Sequence, residues 1–94
     1  MPYIRTTMIK SDAPFKDGLK QFKAGDGPKI LKAAGAQWIH MVQTGENSGM
    51  LVTCYDNKTK ANKAWRASAG ARAEAMADSG TIFWPIEGPS KWSI

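Results

Sequence analysis

Apolar residues recur along this chain with two different periods, and the points where the period changes divide it into elements. Tyr3 to Lys10 alternates loosely and is rich in Tyr, Ile and Thr, as suits a strand. Ser11-Asp12-Ala13-Pro14 then supplies capping residues and a proline fitted to the first turn of a helix. Phe15, Leu19 and Phe22 follow at helical spacing and make one apolar stripe. Gly25-Asp26-Gly27-Pro28 interrupts that stripe, and Pro28 opens a new turn carrying Ile30, Leu31 and Ala34, so the first helix is expected to be broken.

Past Gly35, Gln37 to Thr44 reads as a second strand and Gly49 to Tyr55 as a third, joined by the turn Gly45-Glu46-Asn47-Ser48. A turn centred between Glu46 and Asn47 predicts that Ile39 faces Cys54, Met41 faces Val52 and Gln43 faces Met50 on one side. The other side then pairs Trp38 with Tyr55, His40 with Thr53 and Val42 with Leu51. Asp56-Asn57 caps a second helix that runs to about Ser79, where Gly80 stops it. Its alanines allow close approach to a sheet, Trp65 is the large anchor, and Gly70 weakens its middle. Thr81 to Ile86 forms the last strand, with Pro85 marking an edge or a bend.

The order β-α-β-β-α-β specifies an α+β, ferredoxin-like sandwich: one four-stranded antiparallel sheet with both helices on one face. Residues 1–94 are expected to make a single domain. A sheet that met water on its second face would alternate apolar with polar residues. This one offers Trp38, Val42, Leu51 and Tyr55 there, so the open face is expected to pair with a second copy of the chain. A monomer whose aromatics are covered by the C-terminal segment is the alternative, and Trp92 and Ile94 could instead pack across a neighbouring subunit.

Charge changes this picture little. The 13 Lys and Arg against 8 Asp and Glu give a net charge of +5, but the basic residues fall between the apolar positions of the helices, where a solvated face belongs. Nucleic-acid binding is therefore the weakest reading, and the sheet strands lack an RNP-like aromatic arrangement. The single cysteine, Cys54, cannot form an internal disulfide, and its register assigns it to the helix-facing side as an inert buried thiol. No apolar run approaches the ~18 residues of a membrane span or resembles a secretory leader, and the cytoplasm is the expected compartment.

Candidate chemistry begins with His40, the only histidine and the residue type that titrates near neutral pH. The expected register groups it with Trp38, Thr53 and Tyr55, and Arg5 can join from the first strand. That set could hold a small aromatic acid: Trp38 and Tyr55 as walls, Arg5 as carboxylate partner, His40 as general base. The plainer reading makes His40 a hydrogen-bonded core or interface residue. No metal site is expected from one histidine and one cysteine on opposite strand faces, and no cofactor is assigned. Gly25-Asp26-Gly27-Pro28-Lys29 lacks the phosphate-loop pattern and is better read as the helix break.

The element order, the chain length, the broken first helix and the strand Trp38-Ile39-His40-Met41-Val42 together resemble the dimeric α/β-barrel superfamily over nearly the whole chain. The resemblance implies a ferredoxin-like protomer whose open sheet packs on that of a second copy around a barrel-like interior. It also implies a range of activities: cofactor-free monooxygenation of aromatic compounds, haem degradation, isomerisation or dehydration of small molecules, and stress-related proteins without known chemistry. No motif specific to one of these is complete, so two readings stand. One is a homodimer that binds and transforms a small hydrophobic or aromatic compound. The other is a non-enzymatic dimer using the same face for association alone.

Overall fold

The computed structural model describes residues 2–92. Eight elements follow in order: β1 (Tyr3–Lys10), α1 (Phe15–Ala24), α2 (Gly27–Ala33), β2 (Trp38–Gln43), β3 (Ser48–Tyr55), α3 (Lys58–Ala67), α4 (Ala69–Ser79) and β4 (Ile82–Pro89). The strands form one antiparallel sheet in the order β2-β3-β1-β4. Both expected helices are therefore present, each divided in two.

The first division, at Gly25 and Asp26, was legible from the Gly-Asp-Gly-Pro run. The second, at Ser68, was not. There the Ser68 hydroxyl donates back to the carbonyls of Ala64 (2.9 Å) and Trp65 (3.2 Å), competing with continuation of the helix. Caps follow the sequence more closely. The Asn57 side chain accepts from the Lys60 N–H at 2.9 Å, and Gly80 closes α4 with φ +60°, a left-handed conformation that glycine adopts without penalty. The start of α1 is capped from afar, because the Phe15 N–H donates to the Glu46 carbonyl at 2.7 Å.

The β2–β3 register differs from expectation by one residue: Trp38 faces Cys54, Ile39 faces Thr53, His40 faces Val52 and Met41 faces Leu51. The reason lies in the connection. The Thr44 and Gly45 N–H groups both donate to the Ser48 carbonyl, and Thr44 Oγ1 donates to Ser48 Oγ at 2.9 Å, so the turn is centred on Glu46 itself. An odd-numbered centre moves every β3 side chain to the opposite face. Cys54 accordingly shares the open face with Trp38 and Ile4, and Thr53 and Tyr55 join Arg5 on the face beneath the helices.

Between the helices and the sheet lies a small core of Tyr3, Leu31, Ala34, Ala36, Tyr55, Ala61 and Ala64, with Phe22, Ile39 and Leu51 packed against it. Ala61 and Ala64 are fully buried and bring α3 close to the strands. α1 and α4 bury no residue completely. Two of the four helices thus carry the covered core, and the other two lean on its margins.

Candidate functional site

Beneath α3 the sheet presents polar rather than apolar side chains. Arg5, in the middle of β1, is 4% exposed. Its Nη1 donates to the Ala61 carbonyl at 2.8 Å, and its Nη2 donates to Asn62 Oδ1 at 3.0 Å and to Glu87 Oε2 at 2.5 Å. The Tyr3 hydroxyl donates to the same Glu87 oxygen at 2.9 Å. Arg5 Nε is buried and has no partner among the described residues. Pairing of β1 with β4 sets Glu87 opposite Arg5, which is why two residues 82 positions apart meet.

Trp65 joins this cluster from α3, with two guanidiniums near its ring. The Arg72 guanidinium carbon stands 3.5 Å from the indole centroid and that of Arg5 stands 5.4 Å away. Arg72 donates from Nη1 to the Trp65 carbonyl at 2.8 Å and to Ser68 Oγ at 2.6 Å, so its hydrogen-bond partners are neutral. The break at Ser68 therefore positions Arg72 as well as ending α3. Two guanidiniums and one carboxylate leave the cluster with a net positive charge.

The electrostatics fit that arrangement. Burial pushes Glu87 upward, but hydrogen bonds from Arg5 and Tyr3 outweigh it and hold the carboxyl below its ordinary value. Burial, reinforced by Glu87, raises the Tyr3 phenol and keeps it a proton donor. Burial and then the nearby Arg5 charge lower Arg72. Asn62 spends its carbonyl oxygen on Arg5, which leaves its NH2 group as a donor. Chemically, the excess of positive charge favours a negatively charged group beside the cluster.

The residues singled out from sequence divide between the two faces. Arg5, Thr53 and Tyr55 lie under the helices; Tyr55, at 1% exposure, is core, and Thr53 Oγ1 donates to the Arg5 carbonyl at 3.3 Å. Trp38 and His40 lie on the open face, where their rings meet edge to face at 5.1 Å. They do not converge with Arg5. Asn62, Arg72 and Glu87 were missed as site residues. Trp65 and Arg72 are two helical turns apart, which was a usable signal, whereas Glu87 required the β1–β4 register.

Cys54 is 3% exposed despite facing the open side; its thiol lies 3.5 Å from Gln37 Oε1, and burial followed by Asp56 pushes it upward, away from thiolate chemistry. Among the described residues, no group of His, Cys, Asp and Glu is placed to hold a metal ion, and no helix is long and apolar enough to cross a membrane.

No protein-family model matches the chain, and no curated protein matches it. Solved structures do. A dimeric ferredoxin-like protein from an uncultured marine organism superposes with a TM-score of 0.79 at 14% identity, covering 100% of this chain and 98% of that one. SnoaB, a cofactor-independent oxygenase from Streptomyces nogalater, gives 0.77 at 9% identity, covering 99% and 96%. The fold is the ferredoxin-like one that these structures share. A variant of MhuD, with two manganese protoporphyrin IX molecules bound per active site, superposes with a TM-score of 0.70 at 14% identity, covering 98% and 97%. At these identities the likeness is one of architecture.

Proposed function

We propose that this protein is a homodimer that binds a small aromatic compound bearing an acidic oxygen at the Trp65 cluster, and acts on it as an oxygenase without a tightly bound metal. The observation that carries the reading is the polar cluster itself. A sandwich built only for stability would fill the space under α3 with apolar side chains, because burying an arginine costs several kcal/mol unless fully compensated. Here, among the described residues, Arg5 Nε lacks a partner and Arg72 pairs with no carboxylate. Groups arranged against the ordinary rules of burial are more often functional than decorative.

In this reading a phenol seated beside Trp65 ionises more readily next to the two guanidiniums, and Asn62 offers a donor to its oxygen. The ionised ring is the electron-rich form that can itself reduce dioxygen. The fold shared with a cofactor-independent oxygenase supports the reading without deciding the substrate.

Dimerisation rests on the open face. Ile4, Met8, Val42, Val52, Trp84 and Ile86 lie there with Trp38 and His40. At about 25 cal/mol per Å² of apolar area, covering several hundred Å² supplies several kcal/mol before the entropic cost of association. Trp38 and His40 would then face the partner sheet inside the barrel, and the proposed role of His40 becomes that of a polar group in the interface.

Aerobic incubation with polycyclic phenols, following oxygen uptake and product mass, tests the activity. Turnover in which the phenol gains one oxygen atom and loses two hydrogens, the second oxygen atom of O2 leaving as water, with Trp65→Phe and Arg72→Gln both impaired, is the expected result. An intact dimer that neither consumes oxygen nor binds these compounds would favour the non-enzymatic dimer. One observation favours that second reading: Tyr3, Arg5, Asn62 and Glu87 already satisfy one another, as an internal brace would.

A further inference from the structure

An open volume lies away from the Trp65 cluster, along the free edge of β2. A groove of about 500 Å³ runs there between the strand and the first helical pair. Ile39 and Met41 form its strand side, Leu19 and Phe22 its helix side, and Lys23 and Lys32 stand on its rim. A second volume of about 390 Å³ shares Leu19 and Lys23 and continues along α1 past Lys16 and Lys20. No acidic residue lines either. Among the described residues the ion pairs are Arg5 with Glu87 and Lys60 with Asp56, so the rim lysines are not spent on carboxylates.

The groove has a local cause. α1 carries the apolar stripe Phe15, Leu19 and Phe22, yet buries none of these completely, and the break before Gly27 prevents one straight helix from covering the β2 edge. A narrow apolar floor with a cationic rim is complementary to a molecule having an apolar body and one negative end. The volume suits a small molecule, not a folded partner.

We propose that this groove is a second binding site, taking an amphipathic monocarboxylate with its chain along Leu19, Phe22, Ile39 and Met41 and its carboxylate between Lys23 and Lys32. The site does not depend on the chemistry assigned to the Trp65 cluster.

Calorimetric titration of the full-length protein with decanoate, below the concentration at which it forms micelles, tests the proposal. The expected result is saturable binding of one decanoate per protomer, with butyrate and decyltrimethylammonium much weaker. Lys23→Glu with Lys32→Glu, both at exposed positions, should weaken decanoate by about tenfold or more while circular dichroism is unchanged. The milder pair Lys23→Gln and Lys32→Gln gives the same direction should the reversed pair misfold. Arg72→Gln should leave decanoate affinity unchanged.

Absence of saturable binding would overturn the proposal, as would equal binding of the cationic amphiphile. Loss of decanoate binding in Arg72→Gln with the lysine variants unaffected would move the ligand to the Trp65 cluster. Conversion of dimer to monomer by decanoate would place it on the open sheet face instead. Failure of the oxygenase assay touches none of these outcomes.

Discussion

The two faces of the sheet are built from the same four strands and could hardly differ more in character. Under the helices β1 presents Tyr3, Arg5 and Thr7, opposite Glu87 of β4 and Thr53 of β3. On the open side the same strands present Ile4, Met8, Val52, Trp84 and Ile86. Toward β2 the covered face is apolar, with Ile39 and Leu51 against the core, so the reversal is local to β1 and β4. The difference teaches where each kind of surface is used: the Arg5 cluster is enclosed by the protomer's own helices, and the apolar open face is the one the proposed dimer would cover. Stability is accordingly drawn from two sources, a small covered core and an open face whose contribution appears on association.

The strongest way to break this contrast is a charge at the centre of the open face. Val52→Asp should leave the protomer folded by circular dichroism yet convert dimer to monomer in light scattering, with a loss of roughly 3 kcal/mol or more of association free energy. Reversing the contrast on the other side has a smaller effect. Arg5→Met leaves Glu87 without its cation, and since Glu87 keeps partial contact with water the loss in chemical denaturation should be about 2–3 kcal/mol. Glu87→Gln in the same chain should recover part of that loss.

A control away from both faces calibrates these values. Asn57→Ala removes the side-chain cap of α3 and should cost about 1 kcal/mol in thermal or denaturant unfolding. The smallest effect is one of pH. Because Glu87 titrates below its ordinary value of 4.5 in the folded protein, its contribution is complete above that value and fades as pH falls through the lowered one. Glu87→Gln should therefore flatten the acid limb of a stability profile while leaving the shape near neutrality unchanged.

Most of the architecture was legible because period and punctuation agree. Phe15, Leu19 and Phe22 mark a helix, Gly25 to Pro28 marks its break, and Pro85 marks an edge strand, as β4 proves to be. The site was less legible, for a reason confined to a few residues. Whether Thr53 or Cys54 stands beside Trp38 depends on whether the turn centres on Glu46 or just after it, and hydrogen bonds from Thr44 and Gly45 to Ser48 decide this. A one-residue error there separated His40 from Tyr55 and Thr53. Arg5 was identified as a site residue but grouped with the wrong neighbours, since its partners come from α3 and β4. Within the protomer Trp92 is 79% exposed, so it does not cover the aromatics of the open face as the monomeric alternative supposed, and Ile94 lies outside the described residues.

The attachment of α4 bears on motion. At one end Arg72 and Ser68 tie it to α3; at the other, the Ser79 carbonyl accepts from the Asp12 N–H at 3.0 Å and from the Ser11 hydroxyl at 3.2 Å. Between these ends it buries nothing completely. A helix held at its ends and not along its length can open without dismantling the core, so its amides should exchange with solvent well before those of α3. Since Arg72 rides on it, each such opening would lift one of the two cations from Trp65 and give the enclosed polar face an intermittent door.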